Sequence, residues 1–362
     1  MNNTIRLLFT GDLFPANSEY SIGSGIASGF LRRGSEAWAP ELKGYFSGKD
    51  ISIINLESPL CSKDVHRTDY CGSIDFAGYL KRIGVTAVSI ANNHILEHGT
   101  EGFRETLNAL KGKGLQVLGE AEEDGRARIF RQRIKGRNIA MASFNAIHDI
   151  KNPGCYAEYG REKVLDSIRQ MQKVGNDLAI ICLHWGDEYV HLPAPWQIED
   201  AHAFIDAGAD LVIGTHPHVI QPVERYKHGV IFYSLGNFLF DMFDSEHVRI
   251  GLVARIDMHE DGSLDAGYDL IYIDDDCIPR ELKGEKLKKY QNILDKGLMT
   301  VTGLYLKDRE AYICSYERKR KNRRFLQRIR MKTTLVRNWI KLTPEAKKRL
   351  LTLWKKKITK AV

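Results

Sequence analysis

Apolar and polar positions fall in blocks along the first 280 residues, and the blocks predict strands that end abruptly in polar turns. "IRLLFTGD" (5–12), "DISIINLES" (50–58) and "GVTAVSIANNH" (84–94) are apolar runs that stop at a carboxylate, an amide or an imidazole. Runs this short and this apolar fit buried strands. The period then changes. In "TEGFRETLNALKGKG" (100–114) Phe103, Leu107 and Leu110 stand at i, i+4 and i+7, one face of a helix, and Gly114 suits its exit. "LQVLG" (115–119) predicts a further strand, and 126–145 a hairpin turning near Lys135-Gly136. Helices are predicted over 161–175 and 194–208, and strands over 177–187 and 209–218, both of these strands running into histidine. Residues 223–241 read as a hairpin, and 247–273 as two strands around an Asp261-Gly262 turn.

Strands that first alternate with helices and then form hairpins predict an α/β sandwich of mixed sheets. The pattern divides the chain into a domain over 1–280 and a basic, mostly helical extension over 281–362. In the extension, Thr343 and Pro344 suit the start of a helix, and Ala346, Leu350, Trp354 and Ile358 recur every fourth position with Leu351 beside them.

Charge changes the picture more than composition does. The chain of 362 residues carries +7 overall. The segment from Arg318 to Lys360 alone carries 18 Lys and Arg against the single acid Glu345, a net +17, which leaves −10 on residues 1–317. A mildly acidic body therefore bears a strongly basic tail, and the tail's partner is anionic. Three readings fit it: an amphipathic stripe docked on the body, an anionic membrane surface, or an acidic polymer or nucleic acid, although no nucleic-acid motif is present. No apolar run reaches the ~18–20 residues of a membrane span, and "MNNTIRLLFTGDL" lacks the pattern of a signal peptide. The six cysteines are scattered without a CxxC, which points to reduced thiols and a cytoplasmic or membrane-peripheral protein; Cys61 and Cys71 flank a loop that a disulfide could close.

Asp12, Glu57, Asn93-His94, His184 and His216/His218 each follow an apolar strand at its C-terminal end. In α/β sheets that edge is where sites assemble. Carboxylate, amide oxygen and imidazole are the donors of Zn²⁺, Mn²⁺ or Fe centres, and a shared carboxylate can join two cations into one hydrolytic site. Pro217 stiffens the turn between the two histidines.

The blocks "GDLF", "NLESPL", "ANNHILEHGTEGFRET", "LHWGDEY" and "GADLVIGTHPHVIQPVERYKHGVIFYSLGNFLFD", in this order over residues 4–255, resemble the CapA, or poly-γ-glutamate capsule synthesis, family. The resemblance implies a calcineurin-like metallophosphoesterase fold, a four-layer α/β/β/α sandwich. It implies that Asp12 and His218 ligate a first metal, that Glu57 bridges, and that Asn93, His184 and His216 ligate a second. It implies phosphoester hydrolysis with a metal-bound hydroxide as nucleophile and His94 as the acid on the leaving group. Glu188, Tyr189 and Gln197, with Glu97, are placed along the substrate cleft, Tyr189 alternatively in the core, and Asn237 is read as a turn residue. Two positions depart from the pattern. Phe14 stands where metallophosphoesterases carry a histidine, and Glu97 where the family has an aspartate. His98 and His191 are the histidines close enough in sequence to replace the missing ligand; the rest (66, 148, 202, 228, 247) read as surface or structural. Two other functions stay open, a non-catalytic component of anionic-polymer synthesis or export and a metal-dependent γ-glutamyl amidase. Nothing in the sequence sets an oligomeric state.

Overall fold

Along strand β1 (Ile5–Leu13), Ile5, Leu7 and Phe9 join one hydrophobic cluster while Leu8 and Leu13 join another. Over residues 5–9 that split is the period-2 pattern of a strand buried on both faces, which sets the layering of the whole molecule, and register shifts between Phe9 and Leu13 put Leu13 on the side of Leu8. The computed structural model describes residues 3–34, 36, 39–65, 67–339 and 342–359; His66 lies outside them, as do the side chains from residue 353 on and several between 324 and 338.

The chain runs from β1 through helices α1 (Ile26–Arg33) and α2 (Lys43–Phe46) to strands β2 (Ile51–Leu56), β3 (Leu60–Cys61) and β4 (Gly72–Ser73). Helix α3 (Phe76–Ile83), β5 (Ala87–Ser89), α4 (Gly99–Gly112), β6 (Gln116–Leu118), β7 (Phe130–Ile134) and β8 (Arg137–Asn145) follow. Next come α5 (Arg161–Val174), β9 (Leu178–His184), α6 (Pro195–Asp206), β10 (Leu211–Thr215), β11 (Val223–Tyr226) and β12 (Gly229–Phe232). The last strands are β13 (Asn237–Leu239), β14 (Ile250–Met258), β15 (Leu264–Ile273) and β16 (Pro279–Glu281), before helices α7 (Gly284–Met299), α8 (Arg309–Asn338) and α9 (Pro344–Thr359).

One sheet has the order β16-β15-β14-β1-β2-β5-β6 with β13 also paired to β1, and the other the order β11-β12-β10-β9-β8-β7. Ile5, Leu7 and Phe9 of the first sheet meet Ile139, Met141, Ile180 and Ile213 of the second in a shared core. The outer face of the first sheet is covered by α1, α3 and α4 through Phe30, Phe76, Leu80 and Leu110, and that of the second by α5 and α6 through Ile168, Met171, Ile198 and Phe204. This is the four-layer α/β/β/α sandwich that the resemblance implies.

Two details differ from the sequence pattern. The hairpin expected over 223–241 ends at Phe232, and β13 leaves it to pair with β1 in the other sheet. Gly236, at φ 65°, makes that turn; a Cβ there would stand 2.7 Å from the Ile250 carbonyl oxygen. The tail, in turn, packs on the body along much of its described length. Tyr290 and Leu294 of α7 enter the inter-sheet core, and Tyr312 and Tyr316 of α8 enter the cluster under α6. Tyr312 donates to the Pro193 carbonyl (2.8 Å) and Tyr316 to Asp187 Oδ2 (2.6 Å). In α9, Ala346 and Leu350 are buried and Arg349 donates to Asp69 Oδ2 at 2.7 Å. The first part of the apolar stripe is thus docked; Trp354 and Ile358 fall among the undescribed side chains. Among the described residues no helix is long and apolar enough to cross a membrane.

Candidate metal centre

Strands β1, β2 and β5 run parallel, as do β8, β9, β10 and β12, so their C-terminal ends gather on one edge of each sheet. Asp12 stands near the end of β1, Glu57 follows β2, Asn93 and His94 follow β5, His184 ends β9, and His216 and His218 follow β10. Register places Asp12 opposite Asn55 on one side and Asn237 on the other, and His184 opposite Thr215.

The side chains converge as two donor groups that share one residue. Asp12, Glu57 and His218 present ligand atoms within 4.8 Å of one another, and so do Glu57, His184 and His216. Glu188, His216 and His218 form a third such group at the mouth. The Asn93 side-chain oxygen lies 2.9 Å from His184 Nε2, so amide and imidazole face the same space. The six residues that the resemblance implies as ligands thus lie together at these strand ends.

Asp12, His184 and His218 are each held by a neighbour. The Asn55 amide donates to Asp12 Oδ1 at 2.7 Å, and the His216 backbone N–H donates to Asp12 Oδ2 at 3.1 Å. His218 Nδ1 lies 2.9 Å from Asn237 Oδ1, a bond that takes the proton on Nδ1 and leaves Nε2 toward Glu57, 3.7 Å away. His184 Nδ1 lies 3.1 Å from Thr215 Oγ1 and 3.2 Å from the Asn55 amide nitrogen, and its Nε2 faces Asn93 Oδ1 and Glu57 (3.6 Å). A ligating histidine ordinarily has its second nitrogen tied in this way. His216 and His218 both take positive φ, 96° and 55°. For residues with a Cβ that conformation is strained, and it turns both imidazoles inward on either side of Pro217.

Electrostatics mark the same point. Both oxygens of the fully buried Glu57 lack a hydrogen-bond partner, as does Nδ1 of His216. Burial raises the Glu57 carboxyl well above its ordinary range, and the Asp12 charge adds to this. Burial holds His184 and His216 well below the ordinary imidazole value, hence neutral. Burial also pushes on His218, but the Glu57 and Asp12 carboxylates outweigh it and carry that imidazole up to about 10. Two buried carboxyls face one imidazolium, and the resistance of Glu57 to ionisation marks a site short of positive charge. Orphaned oxygens, two neutral imidazoles and an amide oxygen fit one or two divalent cations.

The cleft opens into a cavity of about 970 Å³ lined by Phe14, Tyr70, His94, Glu188, Tyr189 and His216, among others. His94 lies at its wall, its Nδ1 3.1 Å from Glu97 Oε1 and its ring stacked on Tyr70 at 5.2 Å. Glu97 is bound on its other oxygen by Lys151 at 2.7 Å. Burial pushes Glu97 up, yet the hydrogen bonds and charges of His94 and Lys151 hold it at about 2.

Several readings need correction. Gln197 is fully buried and accepts the Ala194 N–H (2.8 Å) at the start of α6; it caps a helix and does not line the cavity. Asn237 is no mere turn residue, since it orients His218. Neither His98 nor His191 reaches the place of the missing ligand. His98 bonds the Asp69 carbonyl, and His191 bonds the Ile220 carbonyl and His247. Phe14 instead stacks on Phe240 at 4.7 Å, and Phe240 in turn meets the His218 ring at 5.0 Å. Asn55 was missed altogether, because an amide inside "ISIINL" looks like an interruption of a strand until the register with Asp12 is known. Cys61 and Cys71 are free thiols.

Residues 6–242 match the family described as "Bacterial capsule synthesis protein PGA_cap". The "Capsule biosynthesis protein CapA" of Bacillus anthracis is 38% identical over 260 residues, covering 66% of this chain and 61% of that protein. The "PGA biosynthesis protein CapA" of Bacillus subtilis (strain 168) is 30% identical over 227 residues, covering 58% of each. The chain spans about three fifths of the length of these relatives. Among solved structures, a 5'-nucleotidase precursor from Thermus thermophilus superposes with a TM-score of 0.48 at 12% identity, over 83% of this chain and 60% of that one. With the family match running from β1 through the loop after β13, and so across every strand end that feeds the cleft, the chain belongs to the bacterial capsule synthesis (PGA_cap) family.

Proposed function

We propose that the cleft is a divalent-metal centre that hydrolyses a phosphoester. The observation that carries the reading is Glu57, a buried carboxylate with both oxygens unpartnered between two donor groups. A buried ion without a partner costs several kcal/mol, and bound cations would offset that cost. Asp12, Glu57 and His218 would hold one ion, and Glu57, Asn93, His184 and His216 the other, with Mn, Fe and Zn as the classes the donors suit. When bound, such ions polarise a phosphoryl oxygen and lower the pKa of water.

The chain's own residues do the rest. Asn55, Asn237 and Thr215 fix ring and carboxylate orientations. His94 lies on the cavity wall with its Nδ1 3.1 Å from Glu97 Oε1, so a proton carried on Nε2 would be the one to pass to a leaving oxygen. Glu97 steadies the imidazolium, and Lys151 keeps Glu97 ionised. Glu188 and Tyr189 border the place where substrate lies. Names of the relatives concern capsule and PGA biosynthesis, so an anionic polymer or its precursor is the substrate context. Hydrolysis of an aryl phosphate that is abolished by a chelator and restored by Mn²⁺ or Zn²⁺ tests the reading; a metal-replete protein inert toward phosphoesters overturns it.

We also infer that α8 meets an anionic surface such as the inner leaflet. Phe325, Leu326 and Ile329 are exposed there, within the basic run from Arg318.

A further inference from the structure

We propose that Cys61, Cys71 and His98 form a second cation site, separate from the cleft, that takes a thiophilic divalent ion of the zinc class. The three residues come from three places in the fold: Cys61 ends β3, Cys71 precedes β4, and His98 caps the start of α4. Both thiols are buried and free. A ring nitrogen of His98 and the two sulfurs all lie within 4.8 Å of one another. Gly102 permits this approach, since a Cβ there would stand 2.7 Å from the His98 Cβ and 3.5 Å from Cys61 Sγ.

The imidazole is already oriented as a ligand. Its Nε2–H donates to the Asp69 carbonyl at 2.9 Å, which leaves the lone pair on Nδ1. Nδ1 faces the Lys63 ammonium at 3.0 Å, so a cation stands at that nitrogen on an exposed side chain able to yield. Two thiolates and an imidazole are a soft donor set, unlike the oxygen-rich set around Glu57, and three protein donors leave a fourth position for water. The ion would tie both ends of the 62–70 segment to α4. That segment carries Tyr70, which stacks on His94 and meets the Phe14 ring edge-on at 5.4 Å. The proposal does not depend on the hydrolase reading.

The test uses the full chain, stripped by chelator and reloaded with Co²⁺ alone. A thiolate-to-cobalt charge-transfer band in the near ultraviolet is expected in the wild type and in His216→Ala. The cleft centre has no thiolate, so the band reports this site. It should vanish in Cys61→Ser/Cys71→Ser and weaken in His98→Ala. As a check that needs no variant, zinc should slow alkylation of Cys61 and Cys71 in the native wild type. No band in the folded wild type together with unchanged alkylation overturns the site, and so does a Cys61–Cys71 disulfide persisting in protein exposed to zinc.

Discussion

Glu57 Oε1 lies 3.6 Å from His184 Nε2 and 3.7 Å from His218 Nε2, and neither carboxylate oxygen has a hydrogen-bond partner. One carboxylate therefore separates imidazoles from the two donor groups. It is poorly placed for a metal-free protein and well placed for a loaded one. Glu57→Gln keeps the shape and removes the charge. Metal analysis should show both ions depleted, whereas His218→Ala should deplete one. Without metal, the Glu57→Gln variant should match or exceed the wild type in urea denaturation, by up to about 1–3 kcal/mol, because an uncompensated buried group is gone. With saturating metal the order should reverse. Equal stabilisation of both proteins by metal would remove Glu57 from the centre.

His94 is fixed by Glu97 on one side and Tyr70 on the other. His94→Asn should lower turnover of an alkyl phosphate by roughly 10²–10⁴ with metal content unchanged. A nitrophenyl phosphate should be affected far less, because its leaving oxygen needs no proton. Glu97→Gln should show a milder form of the same pattern. Loss of metal from His94→Asn would make that residue a ligand, and equal losses on both substrates would end the acid assignment.

How legible this was in the sequence depends on distance along the chain. Asp12, Glu57, His94, His184 and His216 each break an apolar run, so the pattern itself exposes them, and the parallel strands then bring their ends together. Asn55 and Asn237 were not legible, because what they do is defined by partners 43 and 19 residues away. Gln197 misled for a related reason: a polar residue near the "HWGDEY" block looked like cleft, while its work is local, three residues back at Ala194. The departure of β13 from its hairpin hangs on one backbone angle at Gly236, which hydrophobic patterning does not encode. The docking of the tail rests on tyrosines 312 and 316, spaced as a helix face but surrounded by charge.

His191 gives a pH dependence independent of the cleft. Burial is the main cause holding its imidazole down at about 3, against about 6.5 when unfolded. Between these values the unfolded chain binds the extra proton, so this contribution to stability is full above about pH 6.5 and is lost progressively as pH falls toward 3. At pH 5 the loss from this group is about 2 kcal/mol. His191→Gln can still donate to the Ile220 carbonyl and does not titrate. Its urea midpoint should therefore fall less than that of the wild type between about pH 7.5 and pH 5. Parallel declines in the two proteins would show that His191 is protonated without cost.

The tail prediction follows from what the body leaves uncovered. Tyr312 and Tyr316 bury the first part of α8, and Ala346 and Leu350 bury the start of α9, so cutting the chain near residue 316 would expose core. Phe325, Leu326 and Ile329 remain exposed at 63%, 44% and 43% amid arginines. Each basic residue near an anionic leaflet contributes about 1 kcal/mol, and inserted apolar side chains add a part that salt does not screen. The full chain should sediment with vesicles containing phosphatidylserine and not with neutral ones, and release as salt rises. Replacing Phe325, Leu326 and Ile329 together by Ser should weaken sedimentation while leaving the urea midpoint unchanged, because none of the three is core. A shifted midpoint would mean the three side chains pack on protein. Undiminished sedimentation would mean that charge alone holds the surface. A wild-type chain that ignores both kinds of vesicle would assign the basic run to a soluble polyanion.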